Sequence, residues 1–166
     1  MPDPLSGNIR RADLRDLLAV WRLERACFGP DAWGLLELTV ALLTPSVRLK
    51  VMAPNGAGER LVGFAIGDLR RQGREGWIAT LGIHPDYQRR GLGRQLLAAI
   101  EAQLRPATLK LTVRASNAAA QALYREFGYR PVSRIARYYS GGEDGVVMEK
   151  RRGERPDPQS EIPGMS

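Results

Sequence analysis

The chain has 166 residues, of which 43% are hydrophobic and 26% charged, and carries a net charge of +7. That length suits one domain with a buried core. No apolar run approaches the roughly 20 residues of a membrane span, and a lone cysteine excludes an internal disulfide or a zinc cluster. The arginines are spread along the chain, with no basic run interleaved with aromatics, so neither a specific nucleic-acid partner nor a membrane is expected. Met1 to Gly7 has no signal-peptide pattern, which points to a cytoplasmic protein.

In chain order, Asn8 to Arg10 opens as a short strand. Asp13 is placed to cap a helix that presents Leu14, Leu17, Leu18, Trp21 and Phe28 on one face and stops at Gly29-Pro30. Leu35 to Leu43 reads as a second helix, ended by Thr44-Pro45. Val47–Ala53 and Leu61–Leu69 read as strands around a turn from Pro54 to Gly58. After a turn at Gln72-Gly73-Arg74, a strand from Glu75 to Ile83 contains Gly82, a residue type that marks a bulge or a close backbone approach. A bulge there would splay this strand from its neighbour, whereas the alternative is a simple packing accommodation.

That strand feeds Gln88-Arg89-Arg90-Gly91-Leu92-Gly93-Arg94, and Leu92, Leu96, Leu97, Ile100 and Leu104 follow at helical spacing. A strand passing through a Gly-rich turn into a helix exposes main-chain N–H groups at the positive end of the helix dipole, which is an anion site. Gly91 and Gly93 leave the backbone open to close approach, and Arg89, Arg90 and Arg94 add positive charge. The expected ligand therefore carries a diphosphate. No Gly-Lys-Ser/Thr follows, which disfavours a nucleoside triphosphate, and Leu96 stands where a dinucleotide fingerprint needs a small residue. Coenzyme A is the remaining common diphosphate.

Beyond this, Thr108–Val113 reads as a strand. Asn117–Phe127 reads as a helix capped by Ser116 or Asn117 and closed by Gly128. Arg130–Ile135 and Gly145–Lys150 form a final antiparallel pair around the loop Tyr138–Asp144. The domain is expected to span residues 1–150, followed by a polar, Pro-rich tail, 151–166, that reads as disordered.

The segment Gln88 to Gly93 resembles the acetyl-CoA signature of the GNAT superfamily of N-acetyltransferases. Leu111 to Tyr129 is similar to the second family motif. Tyr138-Tyr139, Glu143-Asp144 and Val146-Val147-Met148 are similar to the C-terminal segment of the bacterial ribosomal-protein alanine N-acetyltransferases. The resemblance runs from about Val62 to Lys150 and is looser before Ala53. It implies an α/β fold, a GNAT-type mixed and bent sheet of six or seven strands flanked by helices. It further implies direct transfer of acetyl from acetyl-CoA, with no metal, to a peptide or protein N-terminus, with a ribosomal protein as a candidate acceptor.

Within the resemblance, Tyr124 corresponds to the general acid that protonates the departing thiolate. Asn117, two helical turns earlier, would bind the CoA arm. Leu81, Gly82 and Ile83 would pair with that arm as with a strand, Arg89 to Arg94 would hold its phosphates, and Tyr138 and Tyr139 would grip the acceptor, with Trp33 and Glu37 contributing. Glu143 and Asp144 are alternative partners for a cationic acceptor amine. The family's basic glutamate is missing, because Thr112 stands at the matching position, and threonine takes no proton at neutral pH. Glu75, His84 and Tyr139 are the alternatives, or water relays the proton from an α-amine of pKa near 8. His84 reads foremost as a turn residue, and Cys27 as a small apolar one. The substitution at Thr112 keeps a small-molecule amine or lysine side chain open as acceptor, and the positive charge keeps open a silent CoA-binding or RNA-associated module.

Overall fold

The computed structural model describes residues 8–56 and 58–153. Its order is β1 (Asn8–Arg11), α1 (Leu17–Phe28), α2 (Leu35–Leu43), β2 (Val47–Asn55), β3 (Gly58–Arg70), β4 (Glu75–Ile83), α3 (Leu92–Leu104), β5 (Thr108–Arg114), α4 (Ala118–Glu126), β6 (Arg130–Ile135) and β7 (Gly145–Arg151). The strands form one seven-stranded sheet in the order β1-β2-β3-β4-β5-β7-β6. Every neighbouring pair is antiparallel except β4 and β5, which are parallel. A parallel pair needs a crossover, and α3 supplies it. Among the described residues, no helix is long and apolar enough to cross a membrane.

Helices cover both faces. On one side Leu96, Leu97 and Ile100 of α3 and Tyr124 of α4 pack with Leu49, Val51, Leu109, Leu111 and Met148 from the sheet. On the other, Val20 and Leu23 of α1 and Leu38 of α2 pack with Phe64 and Ile66 of β3.

The first helix differs from its sequence reading. Asp13 does cap, in a reciprocal box with Asp16, but it caps a short 3-10 turn (Leu14–Asp16) ahead of α1. The tighter turn rotates the face that meets the sheet. Val20, Leu23 and Glu24 are buried, whereas Leu14 and Leu18 are exposed. The first residues expected in the tail belong to the fold instead: Arg151 ends β7 opposite Thr108, and the Arg152 N–H donates to the Ala107 carbonyl. Residues 154–166 of that expected tail lie outside the described residues.

Candidate active site

The site begins where the sheet opens. β4 and β5 are paired only from Glu75 to Ile78 against Thr108 to Leu111. Immediately past that point the β3–β4 register shifts, because Ile66 faces Thr80 while Gly67 faces Ile78, so Ala79 is the extra residue. An inserted residue bends a strand and reverses the facing of every side chain beyond it. Ile78 therefore points towards α3, while Thr80 reaches Glu24 of α1.

The bulge is thus at Ala79 and not at Gly82, which pairs regularly with Phe64. Gly82 answers to packing: a Cβ there would lie 3.1 Å from the Cys27 sulfur and 3.1 Å from the Phe28 ring. His84 N–H donates to Val62 O, and antiparallel alternation then turns the main-chain groups of Leu81 and Ile83 away from β3 into the gap. The Ile83 carbonyl accepts from Gln88 Nε2 at 3.0 Å.

At one end of the gap, Gly91 stands at the N-cap of α3 with a φ of 76° that suits a residue without a Cβ, and no side chain among the described residues caps the helix. Arg89 also adopts a left-handed conformation, with φ 61°. Arg90 lies over the Tyr87 ring and donates to the Asp86 carbonyl at 2.9 Å. Arg94 pairs with Glu126 and stacks on Phe127. An uncapped N-terminus of a 13-residue helix, flanked by arginines and opening on a slot lined by free strand edge, fits a diphosphate attached to an amide-bearing arm.

Deeper in the gap is a chamber of about 150 Å³ that passes through the sheet. From the α3–α4 face it is lined by Asn117, Ala120 and Tyr124, and from the α1–α2 face by Glu24, Phe28 and Trp33. Leu81, Thr112 and Tyr139 also border it. Asn117 caps α4, its Oδ1 accepting from Ala120 N–H at 3.0 Å. Tyr124 is buried, edge-on to Tyr129, and burial pushes its phenol up to about 12. Such a phenol stays protonated throughout the neutral range, as a proton donor must. The Tyr139 hydroxyl donates to the Thr112 carbonyl at 3.0 Å, and burial raises that phenol still further.

Glu24 escaped the sequence reading. It is fully buried; Oε1 accepts from the Thr80 hydroxyl at 3.1 Å, and Oε2 is buried with no hydrogen-bond partner among the described residues. Burial raises its carboxyl to about 7, with Thr80 pulling in the opposite direction. The signal was present: Glu24 lies four residues after Val20 and three before Cys27, within the stripe of Leu17, Val20, Trp21, Cys27 and Phe28.

On the α1–α2 side the chamber opens into a groove of about 1000 Å³. Trp33, Leu36, Glu37 and Val40 form one wall, and Ile135, Tyr138 and Tyr139 another. The two walls are tied together by Arg114, which pairs with both Asp31 and Glu143 and stacks on the Tyr139 ring at 4.9 Å. Ser140 N–H also donates to Asp31 at 2.7 Å. These contacts hold both carboxyls below the usual range, Asp31 through Ser140 and Arg114, Glu143 through Ser116 and Arg114.

Several expected candidates are thereby removed. Glu143 is held by Arg114 and the Ser116 N–H, and Asp144 by Arg134 and the Arg137 N–H, so neither carboxylate is available to a cationic acceptor. Glu75 binds Lys110 at 2.9 Å and the Trp77 indole at 2.8 Å, outside the chamber. His84 is a turn residue: its Nδ1 accepts from Asp86 N–H. The Cys27 thiol is pushed up to about 12 by burial and by Glu24, which leaves it unreactive.

Known proteins are similar to this chain in sequence and fold. Residues 17–129 match the model of the acetyltransferase (GNAT) family. The chain is 39% identical over 154 residues to the N-alpha-acetyltransferase RimI of Mycobacterium tuberculosis, covering 89% of this chain and 92% of that one. It is 40% identical over 139 residues to the ribosomal protein bS18-alanine N-acetyltransferase of Salmonella typhimurium, covering 80% and 89%. The crystal structure of the ribosomal-protein-S18-alanine N-acetyltransferase from Escherichia coli superimposes with a TM-score of 0.78 at 29% identity, covering 92% of this chain and 97% of that one. Sequence, split sheet and uncapped helix agree, and the chain belongs to the GNAT family of acetyltransferases.

Proposed function

We propose that the protein is an N-α-acetyltransferase that transfers acetyl from acetyl-CoA to the terminal amine of a protein chain, with a ribosomal protein as acceptor. The observation that carries this reading is the chamber in the gap between β4 and β5, which reaches the open strand edge at Leu81 and shares Asp31, Trp33, Thr112 and Tyr139 with the long groove. A long groove that narrows to a small chamber suits an extended chain entering by its end. The bacterial relatives, covered over most of their length, support the same acceptor class.

Acetyl-CoA would supply the activated thioester. The N–H groups opening α3, with Arg89, Arg90 and Arg94 around them, bind its diphosphate. Main-chain groups of Leu81 and Ile83, with Gly82 between them, and Asn117 border its arm. Tyr124 gives its phenolic proton to the departing sulfur. Tyr138, Tyr139, Trp33 and Glu37 border the first residues of the acceptor.

The test is release of CoA thiol by the purified protein over a panel of short peptides with different N-termini, with spermidine and free lysine alongside. Turnover confined to peptides is expected, and turnover on the small amines alone overturns the acceptor assignment. In Tyr124→Phe, turnover should fall by about 100-fold or more while acetyl-CoA affinity stays within about twofold. A silent binding module would show no turnover in either protein.

A further inference from the structure

We infer that Glu24 is the proton acceptor for the substrate amine, standing in from α1 for the carboxylate that Thr112 does not supply on β5. The inference rests on the acetyl-transfer reading and adds a residue to it.

The α1–α2 core around Glu24 is apolar, built from Val20, Leu23, Leu38, Phe64 and Ile66. A carboxylate in such a place is costly unless fully hydrogen-bonded, and Glu24 Oε2 has no partner among the described residues. Thr80, which donates to its Oε1, is turned towards it by the Ala79 bulge, the same irregularity that marks the end of β4–β5 pairing. Both residues line the chamber that also holds Tyr124. A buried acid in a cleft, with one oxygen left over, is the arrangement expected of a group that exchanges a proton.

The other titratable groups that line the chamber are paired or keep their protons. Asp31, on the segment after α1, is paired with Arg114 of β5, which also binds Glu143 of the β6–β7 loop. From that loop, Tyr139 faces in but donates to Thr112 O. Cys27 of α1 keeps its thiol proton throughout the neutral range, and so does Tyr124 of α4. Among the described carboxylates lining the chamber, only Glu24 lacks an ion-pair partner.

The proton balance closes. Glu24 Oε2 takes one proton from the acceptor ammonium, and the freed lone pair forms the C–N bond to the acetyl carbonyl carbon. The C–S bond breaks and its electron pair leaves on sulfur, which takes the phenolic proton of Tyr124. The nitrogen sheds a second proton as the amide forms. That proton restores Tyr124 through solvent, and Glu24 releases its own to solvent. One proton is released per acetyl transferred.

The experiment compares the full chain with Glu24→Gln and Thr80→Val, using acetyl-CoA and an N-terminal alanine peptide from about pH 6 to 10. The carboxyl titration of 13C-labelled glutamates, without substrates, is followed by NMR. In the wild type one glutamate should titrate near pH 7, and that signal should vanish in Glu24→Gln. Near pH 7 the glutamine variant should lose about 100-fold in kcat/KM. The deficit should shrink above the peptide amine's own pKa of about 8, where the nucleophile is already neutral. Acetyl-CoA binding should stay within about twofold, which shows that the variant folds. Thr80→Val removes a hydrogen bond that favours the charged form, so the acidic limb should move to higher pH.

Wild-type kcat/KM and an unchanged profile in Glu24→Gln would overturn the inference while leaving the acetyl-transfer reading intact. A wild type inactive on every peptide would overturn that reading and take the inference with it.

Discussion

The two faces of the sheet are built differently. The α3–α4 face is a large apolar core in which Leu96, Leu97 and Ile100 are fully buried. The α1–α2 face is smaller, encloses the Glu24 carboxyl, and leaves Leu36, Val40 and Leu43 of α2 exposed. One face stabilises the fold and presents the uncapped terminus of α3. The other gives up stability for a polar group in the interior and an apolar wall in solvent. Groups that must exchange protons or meet a partner chain cannot also be fully satisfied within the fold.

This contrast can be broken at its strongest point by Leu97→Ala, on the stable face. Leu97 has 0% exposure, and its truncation should cost about 4 kcal/mol by chemical denaturation, as for other fully buried leucines. A loss below about 1 kcal/mol would mean that α3 is not the anchor of the fold.

The second effect has the opposite sign. Burial raises the Glu24 carboxyl from 4.5 to about 7. Between those values the folded state holds more protons than the unfolded, so stability falls as pH climbs through that window and stays lower above it. The full cost is about 3 kcal/mol. Glu24→Gln carries no such charge, so its stability relative to wild type should improve by about that amount between acidic pH and pH ~8. A pH-independent difference would show that Glu24 does not titrate there.

The smallest effect concerns the acceptor wall. Leu36 is 75% exposed, and Leu36→Ser should change stability by no more than about 0.5 kcal/mol. It should raise the peptide KM by several-fold with kcat unchanged, because the contact is the same in ground and transition states. An unchanged KM would remove α2 from the acceptor groove.

Much of the site was legible because its motifs are local. The Gly-rich turn into α3, the Asn117 cap and the position of Tyr124 on α4 depend on residues within one or two helical turns. The α1 face was misjudged because an apolar count favoured Leu14 and Leu18, while the 3-10 turn after Asp13 shifted the helix phase. Gly82 drew attention as the bulge because glycine is conspicuous, yet the extra residue is Ala79, which has no local signature.

By itself the sequence determined the order of strands and helices, the Gly-rich turn that opens α3, and the placing of the Asn117 cap and Tyr124 on α4, all of which follow from short-range periodicity and capping. Only the tertiary structure decided where β4 leaves β5, that Glu24 faces the resulting chamber, and that Arg114 ties Asp31 to Glu143 across it. The physical reason is separation along the chain. Glu24 and Thr80 are 56 residues apart, and Arg114 and Asp31 are 83 apart. Such partners are chosen by the packing of the whole sheet rather than by any spacing a local pattern can register.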